Sequence, residues 1–434
     1  VAGTVRFEIA GWRCIVNVWI VNHYGGTPNS GRFERPVYTA RAFVSRGHGC
    51  TVFSAAFHHL LNEPLELSEP RIEEIDGVTY VGLPCRSYGS NGISRVFNML
   101  DSSRELWRFA KNLPDSMDPP DLMIVSSPPP FLYDAARKIR RRFGCPVVFE
   151  MRDLWPESLI QLAGVSAWHP FVMWLRQSAR KAYRGADALV SLLPAIHSYF
   201  EEIGISTEKV HVITNGVDPE VFSSRAGSDL SDEHVSALRK LRESGKKIVI
   251  YTGAMGPPNA LDQLLELPTG SDGSSAAYHL VLVGDGMLRP HLESEVRKRG
   301  IECISFLPKV EKRQVPALLA MADAAIIIWN DKPLYRYGVS PNKVSEYLLA
   351  EKPVIWAGDT GSNPIADSGA GISVPANDSA ALEGALADLA SRDYGELEEL
   401  GRIGRQYVLE NFNWEKLGAD YEALARKLVD GEVG

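Results

Sequence analysis

The chain has 434 residues, of which 45% are hydrophobic and 23% charged, with a formal net charge of -8. Its length exceeds what one core usually supports, so two domains are expected, and the acidic balance (pI near 5.8) argues against a nucleic-acid binder while allowing a local basic patch. The cysteines (Cys14, Cys50, Cys85, Cys145 and Cys303) lack metal or redox spacing, which argues against a disulfide framework and for a reducing interior, and no apolar run reaches the roughly 18 residues of a spanning helix.

Residues 1–13 read as an extension outside the folded domains. "CIVNVWIVNHY" (14–24) predicts a strand running into the Gly-rich loop "GGTPNSG", then a helix over 34–49 and a strand over 50–55. "RIEEIDGVTYVGLP" (71–84) suggests a hairpin, 93–113 a helix, and "DLMIVSSPPP" (121–130) a strand. A helix, the strand "PVVFEMRDLWPES" (146–158), a helix over 173–186, and further strands and helices lead to "KVHVITNGVD". Polar residues 221–245 read as a linker between a first domain, 14–220, and a second, 246–415.

The alternation then restarts. "KKIVIYTGAMG" (246–256), "YHLVLVGDG" (278–286), "IECISFLP", "AAIIIWN" (324–330) and "PVIWAG" read as strands, and "NALDQLLEL", "MLRPHLESEVRKRG" and "VPALLAMA" as helices. Further helices follow, ending in 416–434, with its packing back on the first domain left open. Apolar strands alternating with helices predict an α/β class: two Rossmann-like domains, each a mostly parallel sheet covered on both faces, facing across a cleft. Ligands then belong at the carboxyl ends of the strands.

Three loops could carry chemistry. In "GVSPNKVSEYLLAEKPVIWAG" (338–358), Ser340 can cap a helix, with Pro341 at its first position and Val344, Tyr347 and Leu348 on one apolar face. Such a helix start offers N–H groups to an anion. Lys343 could neutralise phosphate or be an ordinary surface lysine, and Glu346 could hold a hydroxyl pair or be a solvated first-turn acid. Gly253 in "YTGAMGPPNA" and Gly284 in "LVGDGM" sit in turns after strands, without a dinucleotide or P-loop spacing. "EMRDLWPES" brings Arg152 and Asp153 out of an apolar strand, as a functional pair or an internal ion pair. His23, His58 and His59, near strand ends, read as hydrogen-bonded surface histidines. No H-E-x-x-H or G-x-S-x-G is present, which lowers metal and serine hydrolysis.

Taken in order, "NHYGGTPNSGRFERPVYTARAFVSRGHGCTVFSAAFHH", "MRDLWPES", "VHVITNGVD", "YTGAMG", "LVGDG", "SPNKVSEYLLAEKPVI" and "FNWEKLGADYEAL" resemble the retaining GT-B glycosyltransferases of family 4. The similarity runs from about Cys14 to Val429 and is greatest to the bacterial capsule, O-antigen and exopolysaccharide branch, N-acetyl-fucosamine transferases included. It implies an NDP-sugar donor, UDP-sugar favoured, held mainly by the second domain with neither cofactor nor required metal. Glu346 matches the ribose-binding glutamate, and Ser340, Pro341, Asn342 and Lys343 the diphosphate cradle. Gly253 and Gly284 match strand-end turns, Gly284 on the nucleotide-side wall, and Leu307 to Lys309 the base-contacting loop. Gly25, Gly26 and Gly31 match the first-domain glycine loop, and Arg152 with Asp153 the catalytic segment.

Two departures stand out. The first glutamate of the family's pair falls at Gly338, and the histidine before the first-domain aspartate is Arg152. The implied acceptor is a glycan or polyprenyl-diphosphate-linked sugar. That would place the protein in the cytoplasm, with the inner membrane face as a further location; the basic run "RKIRRRF" (137–143) reads equally as a lipid contact or as a solvated helix face. A sugar-nucleotide 2-epimerase, a phosphorylase or a non-catalytic sugar-nucleotide-binding subunit are the alternatives.

Overall fold

The computed structural model describes residues 8–9, 12–13, 16–31, 33–89, 92–224, 229–267 and 277–431. The chain forms two compact units. The first comprises Val1–Thr214 with Trp414–Gly434, and the second Asn215–Asn413.

Within the extension, Glu8–Ile9 (β1) and Trp12–Arg13 (β2) pair as a short antiparallel ladder. Eight strands then build the first unit's sheet: Asn17–Asn22 (β3), Gly49–Ala55 (β4), Arg71–Ile75 (β5), Val78–Leu83 (β6), Leu122–Ser127 (β7), Val147–Met151 (β8), Ala188–Ser191 (β9) and Val210–Val212 (β10). They lie in the order β10-β9-β8-β7-β3-β4-β6-β5. Every pair is parallel except the β5–β6 hairpin, whose turn residues Asp76 and Gly77 both have positive φ. Strand β7 is buried at all six residues and β8 at all five, as a sheet covered on both faces requires.

The last helix, Trp414–Val429, belongs to this first unit. Its Trp414 ring stacks on Tyr38 of the helix Glu34–Ser45, with centroids 5.4 Å apart. Below that stack, buried Arg35 donates to Glu150 Oε2 at 2.8 Å, to the Ile213 and Thr214 carbonyls at 2.7 and 2.6 Å, and to Tyr421 Oη at 2.6 Å. The Ser126 hydroxyl donates to the other Glu150 oxygen. Burying the ion pair is tolerable because its hydrogen-bonding capacity is met in this way.

The second unit's sheet contains Lys247–Thr252 (β11), Tyr278–Val283 (β12), Ile304–Leu307 (β13), Ala324–Ile328 (β14), Val354–Ala357 (β15) and Gly371–Val374 (β16). All are parallel, in the order β13-β12-β11-β14-β15-β16. The chain winds outward from β11 on one side and from β14 on the other. The switch point therefore lies where β11 ends, at Thr252, which is the position such sheets reserve for ligands.

Three local expectations change. The 221–245 stretch is no linker: it contains the helix Asp232–Glu243, part of the second unit, with His234 and Leu238 buried and His234 Nε2 2.9 Å from the Pro308 carbonyl. The unit boundaries fall instead at Thr214/Asn215 and Asn413/Trp414. "NALDQLLEL" forms a 3-10 turn over Leu261–Glu266 instead of an α-helix, entered through Ala260 at φ +45.

Candidate functional site

Two strand-end loops close against each other at the switch point of the second sheet. Gly253 N donates to the Val283 carbonyl at 3.0 Å, Met255 N to the Asp285 carbonyl at 2.8 Å and Leu288 N back to the Met255 carbonyl at 3.0 Å. A Cβ on Gly284, whose φ is +153, would stand 1.9 Å from the Gly253 carbonyl oxygen. The backbones can approach this closely only without that side chain. Arg289 Nη1 donates to the Gly284 carbonyl at 2.5 Å and the Leu307 carbonyl at 2.9 Å, tying these loops to β13. Leu307 itself is buried, and Lys309 is exposed.

The helix Asn342–Leu349 starts beside these loops. Pro341 is its N-cap, with ψ 131, and no side chain caps the end. The Ser340 hydroxyl, expected to do so, accepts instead from Asn215 N at 2.9 Å, while its carbonyl accepts from Asn215 Nδ2 at 2.8 Å. Asn215 therefore holds the Ser340 turn, and the helix begins one residue later than its sequence suggests. The aligned peptide dipoles of the helix start, which no side chain caps, favour an anion.

Side chains from the first turns enter the same region. Lys343 Nζ donates to Tyr251 Oη and Asn259 Oδ1, each at 2.9 Å, and sits 4.2 Å from the centre of the Tyr251 ring. It is thus no ordinary surface lysine. Burial lowers its pKa to about 7, a shift partly opposed by Glu346. Four residues on, Tyr347 Oη accepts from Thr252 N at 2.7 Å and locks the helix to the end of β11. Glu346 is 8% exposed and forms an ion pair with Lys312, so it is no solvated acid. Sequence reading missed Lys312, Tyr251, Asn259 and Arg289. Only the tyrosine, at a strand end, carried any local hint.

The departure at Gly338 has a backbone reason. Gly338 has φ +95 and ψ 169, a region essentially confined to glycine, so a glutamate there would be strained.

In the first unit, Gly25, Gly26 and Gly31 follow β3 in a loop that folds onto residues 58–62. The Gly25 carbonyl lies 2.8 Å from His58 Nε2, and Cβ atoms at Gly26 and Gly31 would lie 2.5 and 2.4 Å from the Phe33 ring. His58 and His23 are fully buried rather than surface residues, and burial lowers both pKa values, that of His58 to about 4. His59 alone is exposed, its Nδ1 3.0 Å from Tyr88 Oη.

Arg152 and Asp153 emerge at the end of β8 but do not pair with each other. Asp153 accepts from Ser158 Oγ at 3.0 Å, and burial raises its pKa. Arg152 makes no hydrogen bond to a described residue. Burial lowers its pKa, with Glu150 opposing and Arg35 adding to the shift. Among the described residues, no group of three His, Cys, Asp or Glu side chains is arranged to hold a metal, and no described helix is long and apolar enough to cross a membrane.

Comparison with known proteins follows this division. Residues 35–216 match the glycosyl transferase 4-like domain and residues 246–392 the glycosyl transferases group 1. The D-rhamnosyltransferase WbpZ of Pseudomonas aeruginosa is 27% identical over 219 residues, 50% of this chain and 53% of WbpZ. The matches to curated relatives span 42% to 60% of those proteins' lengths. Sucrose-phosphate synthase from Thermosynechococcus elongatus superposes with a TM-score of 0.71 at 16% identity, covering 96% of this chain and 100% of its own. Anabaena HepE in complex with UDP-glucose gives 0.60 at 15%, covering 94% and 99%. With a glycosyltransferase domain match in each half and two parallel-sheet α/β units, the chain has the GT-B fold and carries both glycosyltransferase-type domains.

Proposed function

We propose that the protein transfers a sugar from a nucleoside-diphosphate sugar, UDP-sugar favoured, to a glycan or lipid-linked acceptor of bacterial surface polysaccharide, with retention at the anomeric carbon. The observation that carries this reading is that one helix start brings Lys343 to the Gly253 turn, on which Gly284 packs, and holds Glu346 against Lys312. The helix start and Lys343 suit a diphosphate, and Glu346 suits the ribose diol. The HepE structure containing UDP-glucose supports the donor class.

In this reading the bond from C1 to the β-phosphate oxygen breaks as the acceptor oxygen bonds C1 on the same face. The acceptor proton passes to that phosphate oxygen. Lys343 and the helix N–H groups stabilise the growing phosphate charge more in the transition state than in the ground state. No divalent cation is needed, so activity should persist in EDTA. Arg152, whose guanidinium has no hydrogen-bond partner among the described residues, would orient a phosphate of donor or acceptor, and Asp153 the loop that carries it.

The test incubates the protein with a panel of labelled UDP- and GDP-sugars and a lipid-linked acceptor, and follows product and its anomeric configuration by NMR. A retained glycosidic product supports the reading, while nucleotide binding without turnover of any donor contradicts it. The latter outcome would favour a non-catalytic sugar-nucleotide-binding subunit, to which the missing carboxylate at Gly338 lends its only specific support.

A further inference from the structure

A groove of about 820 Å³ lies in the first unit between the helices Leu132–Phe143 and Pro170–Gly185, and none of its lining residues belongs to the clusters above. Five cations line it, Arg137, Arg176, Arg180, Lys181 and Arg184, and no acid does. Glu157 pairs with Arg176 at 3.3 Å and Asp134 pairs with Lys181. Arg137, Arg180 and Arg184 form no ion pair with a described residue, and the Arg137 Nε is buried without a hydrogen-bond partner among them.

The arrangement follows from helix periodicity. Met173, Arg176, Arg180 and Arg184 recur at spacings of three and four, so they form one stripe. At 1.5 Å per residue that stripe is about 16 Å long. The adjoining face anchors the helix through buried Val172, Leu175, Ala179, Ala182 and Tyr183. At the amino end of the stripe the chain exposes large apolar side chains: Trp168 is 83% exposed, Met173 50% and Trp174 40%.

We infer that this face docks on an anionic lipid bilayer. Arginines beside exposed tryptophan suit an interface where the ring reaches the headgroup boundary and the cations meet lipid phosphate. A soluble polyanion would satisfy the arginines but leave Trp168 in water without a reason. The chain's net charge of -8 repels an anionic surface as a whole, so attraction must come from a local face such as this one. Of the basic run 137–143, only Arg137 lines the groove; Arg140 is held by Asp187 at 2.6 Å.

The inference does not depend on the donor reading, and the experiment keeps them apart. Full-length protein is sedimented with vesicles of phosphatidylcholine alone or mixed with phosphatidylglycerol, and UDP affinity and melting temperature are measured on the same samples. Binding is expected only to the anionic vesicles. Trp168→Ala and the pair Arg180→Glu/Arg184→Glu should each weaken it about tenfold or more, with UDP affinity and melting temperature unchanged. The inference is overturned if wild-type protein ignores anionic vesicles, or if Trp168→Ala binds them like wild type. Loss of lipid binding in the arginine pair alone, with equal wild-type binding to heparin, would indicate a polyanion site instead.

Discussion

Lys343 Nζ donates to the Tyr251 hydroxyl at 2.9 Å and faces the same ring at 4.2 Å, so a lysine is held half-buried at the end of β11. Its pKa of about 7 gives two opposite pH effects. Between about pH 7 and the ordinary lysine value of 10.5, the unfolded chain holds a proton that the folded one has released, so this group's contribution to stability rises with pH across that window. Nucleoside diphosphate affinity should run the other way, falling above pH 7 as the free protein loses the charge that meets phosphate. Calorimetry from pH 6 to 9 should show this decline for wild type and a weaker, flatter profile for Lys343→Met. A decline of the same steepness in Lys343→Met would assign it to another group.

The Glu346–Lys312 pair leads to a test of the ribose assignment. If Glu346 accepts from the diol, wild type should bind UDP about tenfold more tightly than 2′-deoxy-UDP, the scale of one hydrogen bond to a charged group. Glu346→Ala should bind the two alike and remain folded. Should the preference survive in Glu346→Ala, the carboxylate does not hold the diol.

Gly284 is required by packing. Gly284→Ala places a Cβ 1.9 Å from the Gly253 carbonyl oxygen and imposes a positive φ on a non-glycine residue. Urea denaturation should show a loss on the order of 3 kcal/mol. A loss within experimental error would mean that the two loops separate easily.

Arg152 gives up no hydrogen bond to a described residue when it is removed, so Arg152→Ala should leave the melting temperature nearly unchanged. Single-turnover transfer should nevertheless fall at least about tenfold, equivalent to roughly 1.4 kcal/mol of transition-state stabilisation. Arg152→Lys should recover little, because it keeps charge without the guanidinium fork. Wild-type transfer by folded Arg152→Ala would remove the residue from the catalytic centre.

Much of this architecture is legible in local sequence. Continuous apolar strands such as β7 and β8 announce the first unit's parallel sheet, and Gly253 and Gly284 mark strand-end turns of the second. Glu346 and Lys343 could be singled out because they lie in the same short segment as Pro341. The partners that hold them could not. Lys312 is 34 residues from Glu346 and Asn215 is 125 from Ser340, so only tertiary structure reveals either contact. The helix Asp232–Glu243 was hidden by polarity, with just His234 and Leu238 on its buried side. The edge strand Gly371–Val374, only partly buried, carried no apolar run to betray it.

The central claim is that a nucleoside diphosphate binds at the carboxyl ends of the second unit's strands. Hydrogen exchange of the full chain with and without saturating UDP, then GDP, tests it most directly. The account predicts that one of these nucleotides slows amide exchange in three segments together, 253–255, 284–288 and 340–346. Binding that leaves all three segments unchanged, with protection confined to the first unit, would contradict it.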